Sequence, residues 1–143
     1  MLFPKKVKYR KWHTGRRNPK KSWTETRGVN LSFGSFGLKA TSAGRVKSNQ
    51  IESSRKVIAR ATGKVGKMWI RIFPDFPFTQ KAAEVGMGKG KGDPQGYQFQ
   101  VKPGRIIFEV DGLTPSAAKD TLRKAGAKLP IKTKVVERRE LQA

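Results

Sequence analysis

A chain of 143 residues with 32 Lys and Arg against 10 Asp and Glu carries a net charge of +22, a self-repulsion that opposes compactness unless a polyanion supplies counter-charge. That length suits one domain, and no apolar run comes near the ~18 residues of a membrane span, which excludes bilayer insertion. With no cysteine, disulfides, thiolate metal sites and cysteine nucleophiles are excluded too, which fits a reducing compartment.

Residues 1–28 hold the cations Lys5, Lys6, Lys8, Arg10, Lys11, Arg16, Arg17, Lys20, Lys21 and Arg27 against one acid, Glu25. No apolar core of about 7–15 residues follows this basic start, so no secretory signal is read and a cytoplasmic location is expected. A segment so charged does not fold alone. Phe3, Tyr9, Trp12 and Trp23 are spaced among the cations; such rings stack on unpaired bases, or cap a small core, while the cations meet phosphates. Residues 1–28 therefore read as a basic extension ordered on nucleic acid, with a disordered tail as the alternative, and residues 29–143 as the folded domain.

From Val29, "VNLSF" alternates and predicts a half-buried strand with Val29, Leu31 and Phe33 on one side. Gly34 and Gly37 around Phe36 then predict a bend or bulge. Residues 48–62 predict a helix, with Ile51, Ser54, Ile58 and Ala61 in one stripe and Lys56 and Arg60 opposite. Asn49 with Glu52, or Lys47, or Ser48, caps its start, and Gly63 stops it. "KMWIRIF", residues 67–73, predicts a strand with Met68, Ile70 and Ile72 on one face and Trp69, Arg71 and Phe73 on the other, ended by Pro74 and Pro77.

"YQFQV" turns Tyr97, Phe99 and Val101 inward and Gln98 and Gln100 outward, and pairs through the Pro103 and Gly104 turn with "RIIFEV" as an antiparallel hairpin. Thr114 and Pro115 open a second helix that runs to about Lys128. Its stripe is Ala118, Leu122, Ala125 and Leu129, with Lys119 and Arg123 on the exposed flank. Gly126 inside it points to close packing or an early end. After Pro130, "IKTKVVE" predicts a last strand with Ile131, Thr133 and Val135 alternating. Strands interleaved with two helices give a single α+β domain with helices on one face of a mixed sheet.

The stretch "VGMGKGKGDP", residues 85–94, fails both nucleotide-binding patterns. Gly86 to Lys91 is one residue short of a P-loop and lacks the following Ser or Thr that would reach magnesium. Strict glycine alternation running into Asp93, Pro94 and a strand is not the dinucleotide fingerprint that opens a helix. His13 is the sole histidine, so no histidine triad or histidine metal cluster forms, and Asp75, Asp93 and Asp111 adjoin Pro or Gly as turn residues do. No enzyme, cofactor or metal is expected. In Met87, Gly88, Lys89, Gly90, Lys91 and Gly92 the bare glycines let backbone approach a partner while the lysines reach phosphates; solvated lysines on a mobile loop are the plain alternative. Arg71 either crosses the sheet to RNA or pairs with an acid such as Glu109. If six to ten cations meet phosphates, affinity falls about 10³- to 10⁵-fold between 50 and 200 mM salt. An RNA chaperone, a DNA-compacting factor or an enzyme acting on nucleic acid are the competing classes.

"VNLSFGSFGLKA", "WIRIFPDFPFT", "MGKGKG" and "AKLPIKT" occur in that order. In them, and from "KYRKWHTGR" to about Val136, the chain resembles the L-sixteen family of bacterial-type large-subunit ribosomal proteins, related to the archaeal and eukaryotic L-ten-e family. The resemblance implies an α/β-hammerhead-like domain with a basic N-terminal extension. It implies a structural constituent bound to large-subunit, 23S-type rRNA beneath the central protuberance near the peptidyl-transferase centre, among neighbouring large-subunit proteins. It also implies support for A-site tRNA and late subunit assembly, with RNA performing the chemistry, in cytoplasmic or organellar ribosomes.

On the same ground Lys5, Lys8, Arg10, Lys11 and Arg16 would track rRNA phosphates; the further tail cations Lys6, Arg17, Lys20 and Lys21, with Lys56 and Arg60 of the helix, complete the rRNA candidates. The 87–92 loop would reach toward the aminoacyl-tRNA region. Two departures stand out. Gly86 occupies a position where many bacterial members carry an arginine, hydroxylated in some; that modification is excluded here, and Lys81, Lys89 or an RNA change would have to compensate. The "NPKKSWTETRG" connection, residues 18–28, is also longer.

Overall fold

The computed structural model of the chain describes residues 1–15, 21 and 23–138. In chain order its elements are β1 (Phe36–Ala40), β2 (Gly44–Lys47), α1 (Ser48–Thr62), β3 (Lys67–Ile70), β4 (Phe76–Gln80), β5 (Asp93–Val101), β6 (Ile106–Asp111), α2 (Pro115–Gly126) and β7 (Thr133–Glu137). They form two sheets, β3-β6-β1-β7 and β2-β5-β4, and every pairing is antiparallel. The α+β class holds, with two antiparallel sheets in place of one mixed sheet.

The helices pack on each other, α2 against β1 and β7, and α1 against β3, β2 and β5, so α1 bridges the two sheets. Leu38, Val46, Ile51, Ile58, Val101, Phe108, Val110 and Leu122 are sealed between these layers, each such burial being worth about 1.5–3 kcal/mol before entropy is counted. The Ser54 hydroxyl donates to the Ala125 carbonyl at 3.0 Å, tying α1 to α2 across this core.

Helix α1 spans the residues its period predicts. The Gln50 side chain accepts the Lys47 N–H at 2.9 Å, so Lys47 is the cap, and Glu52 pairs with Arg55 instead. Gly63, at φ 55°, lets the chain leave. Ile51, Ser54 and Ile58 are buried, but Thr62 rather than Ala61 completes the stripe, since it stands one full helical step of four beyond Ile58. In α2, Thr114 accepts the Ala117 N–H at 3.4 Å and the predicted stripe is buried. The helix ends at Gly126, two residues before Lys128. A Cβ there would meet the Thr133 side chain and lie 3.6 Å from Leu38 Cδ1, so close packing and the early end coincide.

The sheets depart further from the sequence reading. "VNLSF" is not a strand, because Ser32 and Phe33 give their N–H groups to the Glu109 carboxylate, at 2.7 and 3.3 Å, rather than to a ladder. "GSFGLKA", expected to bend or bulge, contains β1, one of two inner strands of its sheet. Gly34 allows it: a Cβ there would sit 2.5 Å from the Val110 carbonyl oxygen. A register shift against β6 does occur, between Leu38 and Lys39.

Strand β3 stops at Ile70, although the Arg71 N–H still donates to Ile107 at 2.8 Å. Pro77, read as a terminator, lies within β4 opposite Tyr97; an edge strand needs ladder donors on one side only. The β5–β6 hairpin does not form. Residues 102–105 carry the chain between sheets, Gly104 adopting φ 100°, and β5 joins β2 and β4 while β6 joins β1 and β3. As the middle strand of its sheet, β5 buries Gln98, which alternation places outside.

One buried charge pair organises this arrangement. Glu109, in β6, has no exposed surface; Arg71 Nη1 donates to its Oε2 at 2.9 Å, which settles the role of Arg71. The same nitrogen reaches the Asn30 carbonyl at 3.4 Å. Arg105 adds donors to the carbonyls of Arg71 at 2.9 Å and Arg27 at 3.2 Å. Breaking a buried pair leaves an uncompensated charge at a cost of about 3–5 kcal/mol, a large share of an ordinary domain's ~5–15 kcal/mol. Glu109→Gln is therefore expected to lower the unfolding free energy by about 3 kcal/mol or more in urea titration; a loss below about 1 kcal/mol would show that Arg71 needs no anion there.

Candidate nucleic-acid interface

Residues 1–12 lie along the protein. At their start the N-terminal ammonium is 3.9 Å from Glu52 Oε2. A hydrogen bond from Arg55, reinforced by the Arg55 and N-terminal charges, holds the Glu52 carboxyl down from 4.5 to about 2. Leu2 packs against the core. The Phe3 ring meets Tyr97 of β5 edge-on at 6.4 Å, and Trp12 meets Phe76 of β4 at 5.1 Å, so residues 1–12 cross the second sheet. Two of the rings offered to bases or to a core thus serve the protein itself. Tyr9 remains 61% exposed, and the Lys102 ammonium lies 4.9 Å from the centre of the Trp23 ring.

With Phe3 and Trp12 resting on the sheet, the tail exposes Lys5, Lys6, Lys8, Arg10 and Lys11. Lys21 is exposed as well, while Arg16, Arg17 and Lys20 lie outside the described residues. Lys56 and Arg60 are exposed on α1, where Arg60 shares a shallow groove with Lys124. They belong to the helical layer, whereas the tail runs over the second sheet.

The glycine–lysine loop is the tip of the β4–β5 hairpin, a placement hidden from the sequence because β4 was hidden. Gly88 and Gly90 have φ of 99° and 90°, and Lys89 between them 58°, so the glycines answer a backbone need. At the base, a Cβ on Gly92 would approach the Gln80 carbonyl carbon to 2.7 Å. Met87 is fully exposed. Gly86 stands in open space, with nothing within 4 Å of a Cβ, so the missing arginine is not a matter of room. Lys81 donates to the Gly88 carbonyl; it braces the loop.

Tail and loop also hold each other. Lys11 Nζ donates to the Lys91 carbonyl at 3.2 Å, and Lys91 Nζ donates to the Trp12 carbonyl. Lys91 is thereby joined to the tail, and Lys89 sits exposed at the tip. Residues 44–47, "GRVK", add cations that the sequence reading passed over: Arg45 lies 5.2 Å from the Phe76 ring centre and Lys47 5.0 Å from that of Phe78. Their alternation about buried Val46 was the available strand signal. Among the described residues no group of three His, Asp or Glu is placed to hold a metal ion, and no helix is long and apolar enough to cross a membrane.

Residues 4–136 match the family model of ribosomal protein L16p/L10e, and the chain belongs to that family. It is 52% identical over 138 residues to the large ribosomal subunit protein uL16 of Gluconobacter oxydans, covering 96% of this chain and 97% of that one. The uL16 protein of Gluconacetobacter diazotrophicus is 51% identical with the same coverage, and that of Rickettsia rickettsii 49% identical over 140 residues, 98% of this chain and all of that one.

The mutual hold of tail and loop is open to test. Trp12→Ala removes the ring seated on Phe76 and with it the position of the Trp12 carbonyl. Backbone order parameters of Gly90 and Lys91 are expected to fall relative to wild type in nitrogen-15 relaxation. Unchanged values would show that the hairpin orders its own tip.

Proposed function

We propose that this chain, a non-enzymatic structural constituent of the large ribosomal subunit in the cytoplasm, binds large-subunit rRNA near the peptidyl-transferase centre through its tail and supports A-site tRNA with its hairpin tip. Family membership and near-full-length identity to uL16 proteins support the first half. The observation that carries the second is the reciprocal hydrogen bonding of Lys11, Trp12 and Lys91, which joins the exposed tail cations and the glycine–lysine tip into one surface. Phosphates neutralise the tail, and the docked tail then aims the tip.

The division into a basic extension, residues 1–28, and a domain, residues 29–143, is part of this reading, as are neighbouring large-subunit proteins as partners and a role in late assembly. Lys5, Lys6, Lys8, Arg10, Lys11 and Lys21 meet rRNA phosphates, with Lys56 and Arg60 as a second patch. Residues 87–92 face the tRNA. Affinity is phosphate-led; specificity comes from RNA shape.

Changing Lys5, Lys6, Lys8, Arg10 and Lys11 together to Gln is expected to flatten the salt dependence of rRNA binding by up to ~0.9 per contact in a log–log plot; an unchanged slope in filter binding removes the tail from the interface. Lys89→Ala with Lys91→Ala is expected to slow tRNA accommodation on reconstituted subunits while leaving the melting temperature nearly unchanged. A large fall in melting temperature with normal accommodation would reassign the loop to structure. Retention on large subunits through a high-salt wash separates a ribosomal component from a general nucleic-acid binder, which modest salt would release.

A further inference from the structure

Phe33 alternates as a core residue would, yet it is 53% exposed. Leaving a phenyl ring in water forfeits up to about 1.5–3 kcal/mol of burial, and this ring is held there by several contacts. Its own N–H and that of Ser32 are fixed to the buried Glu109 carboxylate. The ring stacks on Trp69 of β3 with centroids 5.8 Å apart and planes 19° from parallel, and the Arg71 guanidinium lies 5.2 Å from its centre. Trp69 and Arg71 are two residues apart along one strand direction, so they share a face of it, and both reach the ring. Phe73, next in that row, is 42% exposed.

Charge surrounds this ring. Arg138 Nη2 donates to the Leu31 carbonyl at 3.3 Å, and the Arg138 N–H donates to Ser35 at 2.8 Å. Asp111 accepts from the Ser35 hydroxyl at 2.8 Å. That hydrogen bond, then the Gly112 N–H and the nearby charges of Arg138 and Lys67, keep the Asp111 carboxyl below its ordinary range. Arg71 is neutralised by Glu109, and Lys67 and Arg138 outnumber Asp111, which leaves the rim of the ring positive.

We propose that Phe33, seated on Trp69 and Arg71, is a stacking platform for one unpaired RNA base, with Lys67 and Arg138 taking the adjoining phosphates. An exposed π-face in a positive rim matches the two parts of a single-stranded nucleotide, and base–aromatic stacking tolerates any base. A hydrophobic protein surface would use the ring and gain nothing from the cations. Since the seat is already ordered, stacking costs little conformational entropy. The inference rests on the rRNA-binding reading and adds a site to which neither tail nor loop contributes.

The test measures binding of the full chain to protein-free large-subunit rRNA at fixed salt. Phe33→Leu, which keeps an apolar contact on Trp69 but removes the π-face, is expected to weaken binding about tenfold with the salt slope unchanged. Phe33→Trp is expected to bind as tightly as wild type. Ultraviolet crosslinking of the unaltered protein, followed by peptide mapping, requires no variant: a nucleotide joined to the peptide carrying Phe33 supports the platform, and crosslinks confined to other peptides overturn it. Equal rRNA affinity of wild type and Phe33→Leu also overturns it, and if that variant then enters subunits poorly, a protein neighbour is the occupant. The tail variant with five Gln substitutions separates the two readings: if it binds rRNA like wild type with the same salt slope, the wider reading fails whatever Phe33 does.

Discussion

A single buried carboxylate sets the form of this molecule. In a chain of net charge +22, Glu109 sits at zero exposure in β6 and gathers the Arg71 guanidinium and the N–H groups of Ser32 and Phe33. A desolvated carboxylate is tolerated only when its acceptor sites are filled, and filling them fixes the path of residues 30–33. That path diverts the segment from a ladder, lets β1 begin at Phe36 and presents Phe33 outward. Arg105 extends the network by bonding the carbonyls of Arg71 and Arg27, so the end of the tail is tied to the same centre.

A larger share of the positive charge lies away from this centre. Cations of the tail, of "GRVK" and of the hairpin tip gather over the β2-β5-β4 sheet, whose fold needs few charges of its own. Such a surface repels itself in isolation and is relieved by a polyanion. Aromatic rings from tail and sheet, Phe3 on Tyr97 and Trp12 on Phe76, hold the cationic strip in place at little entropy cost, because a ring has few rotamers to lose. The hairpin tip adds glycines at positive φ, where bulk would strain the backbone.

The helices were legible because their information is local. The 3.6 period of Ile51, Ser54 and Ile58, and the Thr114–Pro115 start of α2, involve residues within a few positions of each other, and the structure reproduces both. The strands were less so, since a pairing partner is chosen over long sequence distances. "YQFQV" and "RIIFEV" alternate like a hairpin across a good turn, yet they belong to different sheets, β5 pairing with β2 and β4 and β6 with β1 and β3. Pro77 concealed β4, and without β4 the glycine–lysine loop could be recognised by composition but not placed as a hairpin tip.

By itself, the sequence determined the partner's charge, the α+β class, both helices, the tail and loop as candidate contacts, and the family resemblance, all of which follow from composition, short-range period or motif. Only the tertiary structure decided that Arg71 serves Glu109, that the tail grips the loop through Lys11 and Lys91, and that Phe33 faces water. These are contacts between residues 38 to 80 positions apart, and no local pattern encodes which of several acids, carbonyls or rings a long side chain will meet. Packing makes that choice, as where it buries one carboxylate completely and brings the Arg71 guanidinium and two backbone N–H groups to it.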